Sequence, residues 1–542
     1  MASGRVALIP LALLWLVPTV AAAVTCEALR FSAPVGTEIV TAATVPARPA
    51  QVQVAPGEPA RALELPAHCR IAGVIRPTSA SHIRFELWMP VRGWTGRFEG
   101  VGNGNYAGML SAGALPYGII RGSAIAATDT GHESTPADPR TAHWAGSREQ
   151  LIDFGHRAVH LTASVAKKIV SAFYGTPARH SYFVSCSNGG RQGLMSALRY
   201  PEDFDGIVAG APARSWTRLN STFMSPHKRY VSDPERRLPE QKVQLLAKAT
   251  TAACDAVDGV LDGIVDDPRT CTFDAAMLRC DGDESENCLT AKQLETVRLL
   301  RAGTSVPPAA RLAGLPAGTE SDAWSTWVFG RPSTQSGFEY LSVPFFRDFL
   351  YRDPDWTPAA FDLERDSAAA KRELAPILDA DDPDLTRYFA RGGKLILYAG
   401  WLDPAIPALD TIEYYEALRG RTGTGGAARN AALFVVPGMA HCGSGPGYSS
   451  FGQWYNGTGR PHEDVRAALF DWVENGRAPE QILAARQGES LWTDPRADMP
   501  RGNELPTRPL CAYPNRARWT GRGSTDDAAN FLCVAPDATG QQ

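Results

Sequence analysis

The sequence predicts an α/β chain, a mostly parallel sheet with flanking helices, interrupted by one large insertion. Three observations carry this expectation. Apolar runs of strand length alternate with segments of helical periodicity in both the first and the last third of the chain. A glycine-rich turn tipped with serine, Ser185-Cys186-Ser187-Asn188-Gly189-Gly190, lies between one such strand and the helical run that follows it. Between residues 216 and 384 the rhythm breaks into a stretch rich in Pro, Asp and aromatic residues, which holds four of the ten cysteines. At 542 residues the chain exceeds what one plain core organises, as an inserted domain requires.

The N-terminus indicates a compartment. Arg5 precedes an apolar run from Val6 to Val20 and then Ala21-Ala22-Ala23, the pattern of a cleavable export leader over residues 1–23. That run is too short for a good membrane anchor, and nothing later is long enough to span a bilayer. A secreted or periplasmic protein with no membrane partner after cleavage is expected. A net charge of -4 without a long basic run gives no reason to expect a nucleic acid partner. All ten cysteines follow the leader, and no Cys-x-x-Cys pair argues for zinc, so disulfides are expected. Spacing points to Cys254 with Cys271, Cys280 with Cys288 and Cys511 with Cys533; it leaves the other four cysteines open.

Along the mature chain, residues 70–75 and 82–89 read as strands. Arg97 to Gly108 starts as a strand and dissolves into a glycine loop. Lacking the Lys-Ser/Thr of a phosphate loop, it fits better as a turn offering free N–H groups to an oxyanion. A strand at 124–127 precedes Thr128-Asp129-Thr130-Gly131-His132, and helical periodicity covers 157–174 up to Gly175. Beyond the insertion come a strand at 395–399, a helix at 411–418, a strand at 432–436 and a helix at 463–473. The end, from Leu505, reads as loop-rich. This divides the chain into a leader, a first α/β part at 24–215, an inserted domain at 216–384 and a second α/β part at 385–542.

A serine hydroxyl needs a base to take its proton, and the base needs a carboxylate to hold its tautomer. In α/β-hydrolases the order along the chain is serine, acid, histidine, with acid and histidine on loops after later strands. Asp403 follows the strand at 395–399 and His441 follows the strand at 432–436, whereas His132 precedes the serine and breaks the order. Ser187, Asp403 and His441 are therefore the expected catalytic residues of an α/β-hydrolase fold. Cys186 adjoins the serine and Cys442 adjoins the histidine; if serine and histidine hydrogen-bond, these cysteines fall within disulfide reach.

Cys186-Ser187-Asn188-Gly189-Gly190, with Asp403 and His441-Cys442, resembles the tannase and feruloyl esterase family. The likeness extends to the 97–108 loop, Asp129-Thr130-Gly131-His132, Gly210-Ala211-Pro212 and Arg508-Pro509-Leu510-Cys511, and it looks especially similar to the branch that includes hydrolases of mono(2-hydroxyethyl) terephthalate. The resemblance implies a pairing of Cys26 with Cys69, makes the insertion a lid, and points to Asn105 as oxyanion donor beside the N–H of Asn188. The acidic loop Asp255 to Asp266, read from residues alone, is either solvated or bridged by a cation. The resemblance implies structural Ca²⁺ there, held by Asp255, Asp258 and Asp262 with the carbonyls of Val260 and Ile264 and holding the lid in shape, since nothing in the sequence places the loop beside Ser187. No organic cofactor is expected.

The substrate is less determined. Trp327, Tyr340, Phe345 and Phe346 are aromatic candidates for stacking on an aromatic acyl group, or else are lid core. The terephthalate branch uses a lid arginine for the free carboxylate, but the matching stretch 332–343 has none, and only Arg331 or Arg347 lies near. Feruloyl, hydroxycinnamoyl or galloyl esters are therefore expected ahead of terephthalate monoesters. A hydrolase-like binding module without catalysis is the alternative of another class. Nothing in the sequence speaks to oligomeric state.

Overall fold

Alternation of side chains with period two builds a sheet that is buried on both faces. The computed structural model describes residues 24–52, 60–133, 142–306, 310–331, 334–454, 457–486 and 505–536; the leader expected at 1–23 lies outside them. Nine strands form the main sheet: β1 (Thr37–Val45), β2 (His68–Ile75), β3 (Ile83–Pro90), β4 (Arg97–Val101), β5 (Ala124–Thr128), β6 (His180–Cys186), β7 (Gly206–Gly210), β8 (Lys394–Gly400) and β9 (Ala431–Val436). Their spatial order is β1-β2-β3-β5-β4-β6-β7-β8-β9. The β1, β2, β3 and β5 pairings are antiparallel, and every pairing from β5 to β9 is parallel.

Helices cover both faces, as a parallel sheet demands. Phe183, Ile207, Leu395 and Leu397 pack with helices α1 (Ala158–Tyr174) and α2 (Asn188–Arg199). Their neighbours Tyr182, Val184, Val208, Ile396 and Tyr398 point the other way, onto a helix near the C-terminus. Gly175 ends α1 at φ 71°, a left-handed cap that glycine adopts without strain.

Between β7 and β8 the insertion is mostly helical: α3 (Trp216–Ser232), α4 (Glu240–Cys254), α5 (Ala291–Ala302), α6 (Gly337–Pro344) and α7 (Leu363–Glu373). Its core of Trp324, Phe338, Phe345, Phe346 and Phe349 continues without a break into Tyr106, Phe154 and Ile406 of the α/β part. The insertion is rooted where it begins and ends. Asp379 accepts from the N–H and hydroxyl of Thr217 at 3.0 and 2.6 Å, and Ala380 N–H donates to Arg214 O at 2.7 Å.

After β8, helix α8 (Ala408–Asn430) is longer than the segment expected at 411–418 and carries a non-helical Gly423. Helix α9 (Val465–Asn475) supplies Val465, Leu469 and Trp472 to the second face of the sheet. The C-terminal region is more regular than a loop: Thr507–Cys511 pairs with Gln481–Ala485, and Arg516–Trp519 pairs with Phe531–Val534. Among the described residues no helix is long and apolar enough to cross a membrane.

One buried ion network ties the sheet to α9. Glu99 of β4 meets Arg121 at 3.2 Å and also pairs with Arg466 of α9. Burial pushes the Glu99 carboxyl up, but Arg121 and Arg466 outweigh it and hold the group at about 2. A carboxyl depressed on folding contributes stability above its unfolded value near 4.5 that is lost as pH falls from there toward about 2. Glu99→Gln should remove the carboxylate that Arg121 and Arg466 share, leaving Asp464 as the acidic group near them, lower unfolding free energy by about 3–5 kcal/mol, and flatten that acid limb in denaturant titrations across pH.

Candidate active site

β6 ends at Cys186 and α2 begins at Asn188, so Ser187 stands alone on the turn between them. Its backbone takes φ 64° and ψ -126°, a conformation that costs a non-glycine residue about 1–3 kcal/mol. Three backbone bonds fix it. Ser187 N–H donates to Gly210 O at 2.9 Å, and Ser187 O accepts from Arg191 N–H at 3.0 Å and Ala213 N–H at 3.1 Å. A Cβ at Gly189 would lie 1.9 Å from Ser185 Oγ, and one at Gly102 would lie 2.6 Å from it. Ser185, where an elbow ordinarily has glycine, fills the room those two glycines leave.

Asp403 and His441 arrive from the ends of β8 and β9. His441 Nδ1 lies 2.7 Å from Asp403 Oδ2, and its Nε2 lies 2.9 Å from Ser187 Oγ. Asp403 Oδ1 accepts from the N–H groups of Ala405 at 2.8 Å and Ile406 at 3.0 Å. An ionised carboxylate only accepts, so Nδ1–H faces Asp403 and the Nε2 lone pair faces the serine hydroxyl. The Asp403 side chain has no exposure and that of His441 has 13 %. The loop around the histidine is itself strained, with φ 63° at Cys442 and 61° at Ser444.

The disulfide Cys186–Cys442 spans 5.9 Å between Cα atoms and joins the residue before Ser187 to the residue after His441. The other bridges are Cys26–Cys69, Cys254–Cys271, Cys280–Cys288 and Cys511–Cys533.

Asn188 holds the first position of α2, where a backbone N–H has no partner within the helix. The loop after β4 lies against this turn: a Cβ at Gly189 would sit 3.3 Å from Asn103 O. Asn103 N–H is committed to Gln192 Oε1 at 3.0 Å, which removes it as a donor to a ligand. Asn105 and Ala107 take φ 47° and 60°, left-handed positions on either side of Tyr106. The imidazole on Ser187 Oγ is His441, while His132 stacks on Trp144 at 3.7 Å and its Nε2 lies 2.7 Å from Tyr106 O.

A cavity of about 880 Å³ opens beside His441, between α4, the Trp327 segment and the histidine loop. Trp327 lines it and meets His441 edge to face at 4.9 Å. Tyr340 packs near Tyr106 at 6.4 Å. Phe345 and Phe346 are fully buried among Phe349, Trp356 and Phe361, so they belong to the core of the insertion and not to the cavity wall. Arg331 pairs with Glu240 at 3.2 Å and Arg347 with Asp348 at 2.8 Å. The cation on the cavity wall is Lys248 of α4, which sequence reasoning missed; with Thr251 it sits at i, i+3 on one helix face, the only trace it leaves in the chain.

The acidic loop, which nothing in the sequence placed beside the site, reaches the cavity there: Gly263, Ile264 and Val265 line it together with His441. Asp255 Oδ1 accepts from the N–H groups of Asp262, Gly263 and Ile264 at 3.1–3.3 Å. Asp262 Oδ2 pairs with Arg508 at 2.7 Å. Burial, reinforced by Asp262 and Asp255, pushes Asp258 up to about 6. Among the described residues no three acidic, histidine or cysteine side chains converge in ligand geometry.

The family model for tannase and feruloyl esterase matches residues 69–534. The chain belongs to the tannase and feruloyl esterase family. An uncharacterized esterase of Xanthomonas campestris pv. campestris is 37% identical over 506 residues, 87% of this chain and 85% of that one. Mono(2-hydroxyethyl) terephthalate hydrolase of Piscinibacter sakaiensis is 32% identical over 547 residues, 88% of this chain and 86% of its own. The crystal structure of feruloyl esterase B from Aspergillus oryzae superposes with a TM-score of 0.82 at 27% identity, covering 94% of this chain and 99% of that one. As a member of the tannase and feruloyl esterase family the protein is a carboxylic ester hydrolase with an α/β-hydrolase fold.

In this family member the bridge beside the serine and histidine is open to test. Replacing both Cys186 and Cys442 by Ser should lower unfolding free energy by about 2–5 kcal/mol. It should also cut kcat roughly 10–100-fold with a smaller change in KM, since a displaced histidine loses its alignment on Ser187. Thermal unfolding and steady-state kinetics on the folded variant check both.

Proposed function

We propose that this protein is a secreted serine carboxylesterase that hydrolyses esters of aromatic acids, hydroxycinnamoyl or galloyl, through an acyl-enzyme. The observation that carries this reading is the unbroken hydrogen-bond chain from Ser187 Oγ through His441 to Asp403. His441 takes the proton of Ser187 as the hydroxyl attacks the ester carbonyl, and Asp403 stabilises the imidazolium that forms. The developing oxyanion is met by the N–H of Asn188 and by an N–H of the loop at Asn105; one such donor is typically worth about 3–4 kcal/mol. His441 then returns the proton to the leaving alcohol. Water, deprotonated by the same histidine, releases the acid. Trp327 offers an aromatic surface at the mouth of the cavity beside the histidine. Five disulfides support residence in an oxidising compartment.

A second reading, hydrolysis of a carboxylate-bearing ester such as a terephthalate monoester, is favoured by one observation. Lys248 reaches the wall of the cavity beside His441, and among the described residues it makes no ion pair. The relative that hydrolyses mono(2-hydroxyethyl) terephthalate agrees with this reading. A panel of methyl ferulate, methyl gallate, chlorogenate and the terephthalate monoester separates the two. Ser187→Ala should abolish turnover, by roughly 10⁴-fold or more, together with labelling by a fluorophosphonate; retained activity or labelling overturns the serine mechanism. Lys248→Ala should leave methyl ferulate unaffected under the first reading and cost the terephthalate monoester about tenfold in kcat/KM under the second.

The reading extends to Ca²⁺ on the acidic loop. Calcium takes hard oxygen donors, and the groups that would supply them are the carboxylates of Asp255, Asp258 and Asp262 with the carbonyls of Val260 and Ile264, drawn together on binding. The loop is closed by Cys254–Cys271, and Arg508 already supplies one positive charge to it. The ion would neutralise crowded carboxylates and hold the loop, with no part in the chemistry at Ser187. Metal analysis of purified protein should find about one calcium per chain, and chelation should lower the unfolding temperature; less than about half an equivalent overturns the site.

A further inference from the structure

The loop that follows β4 is clamped at a single residue from two directions. Tyr106 is buried, with 2 % of its surface exposed. Its carbonyl faces His132 Nε2 at 2.7 Å, and its hydroxyl donates to the carbonyl of Leu341 in lid helix α6. Its ring packs against Trp216 at 5.8 Å and Phe349 at 5.4 Å, both contributed by the insertion. The residues flanking it, Asn105 and Ala107, are the two that hold left-handed backbone. Gly108 N–H is in turn anchored to Asp129 O at 3.1 Å. A loop bent twice into a disfavoured conformation keeps that shape only while its surroundings over-determine it. The hydroxyl contact makes the lid one of those surroundings.

We propose that Tyr106 is a positioning residue that couples the seating of the lid to stabilisation of the oxyanion, by fixing the N–H at Asn105 through its bond to Leu341. The lid then does more than cover the site. It completes the electrostatic part of it, and a substrate that settles α6 firmly also settles the donor. Oxyanion donors act through preorganisation, so displacement by a fraction of an ångström weakens them while leaving ground-state binding in place.

The proposal rests on the reading of Ser187 as nucleophile and of the 102–105 loop as donor. The test is Tyr106→Phe, which keeps the ring and removes only the hydroxyl. It should lower kcat about tenfold, leave KM within roughly threefold, and weaken inhibition by phenylboronic acid, a tetrahedral mimic at serine, by about the same factor as kcat. Competitive inhibition by free ferulate, a ground-state ligand, should be unchanged. His132→Gln loosens the other end of the clamp and should give the same pattern, with less than additive losses in the double variant; if His132→Gln does not fold, Tyr106→Phe decides alone. Wild-type kcat and phenylboronate affinity in Tyr106→Phe, or a change confined to KM, overturns the proposal. Ser187→Ala run in parallel separates the cases: if it remains active the underlying reading has failed, and if it is dead while Tyr106→Phe is unaltered only the coupling has.

Discussion

A serine held at φ 64° and ψ -126° does not keep that shape unaided, and most of what surrounds Ser187 can be understood as holding it. The turn is pinned below by Gly210 O at the end of β7 and above by the N–H groups of Arg191 and Ala213. Glycines at 102 and 189 give way to the Ser185 side chain, so a residue that looks misplaced in an elbow fits without displacing the loop beside it. Cys186 then ties the same turn to a second strained loop, the one with left-handed Cys442 and Ser444 that carries His441. Two strained segments joined by a covalent bond restrain each other. The Ser187 to His441 distance of 2.9 Å is the outcome.

Charge beneath the turn adds to this. Arg191 is fully buried, four residues after Ser187, yet its partners are Asn188 Oδ1 and the carbonyls of Phe154, Gly155 and Leu378, not a carboxylate. Burial brings its guanidinium down to about 10, with Asp379 pulling the other way. Asp379, pushed up to about 7 by burial, is the same side chain that grips Thr217 at the root of the insertion. One polar cluster therefore links the first turn of α2, the segment at Phe154 and both ends of the insertion. The insertion cannot be regarded as a separate body resting on the sheet, because its aromatic core and its polar root both run into the floor of the site.

Much of this was legible in the chain, and what was not has identifiable causes. The strands on both sides of the insertion stood out because a doubly covered parallel sheet writes short apolar runs. The serine, acid and histidine stood out because each follows such a run in a fixed order. The helices of the insertion were obscured. In α3 the buried residues Trp216, Leu219, Phe223, Met224, His227 and Tyr230 keep helical spacing, but Pro226 and a polar composition break the pattern to the eye. Phe345 and Phe346 were ambiguous because aromatic content alone does not separate a pocket wall from a core, and both proved to be core. Lys248 was invisible because a surface lysine acquires meaning only from what faces it across a cavity.

The acidic loop shows how far such placement changes meaning. Taken along the chain it belongs to the insertion and is remote from Ser187. In space, Ile264 comes so close to the histidine loop that a Cβ at Gly438 would meet its side chain at 3.2 Å. Arg486 donates both to Asp262 O at 3.0 Å and to Pro446 O at 2.7 Å, binding the acidic loop to the segment just past His441. Arg508 reaches Asp262 from the C-terminal strands, over the rings of Tyr448 and Phe531. The loop is thus a wedge between the rest of the insertion and the strained turn bearing the histidine. Its rigidity is passed to the His441 side of the site, while under the proposal made for Tyr106 the rest of the insertion braces the loop that follows β4. The two halves of the proposed chemistry are braced by different parts of the same insertion, which is why a large, irregular segment between β7 and β8 is compatible with a site that tolerates little displacement.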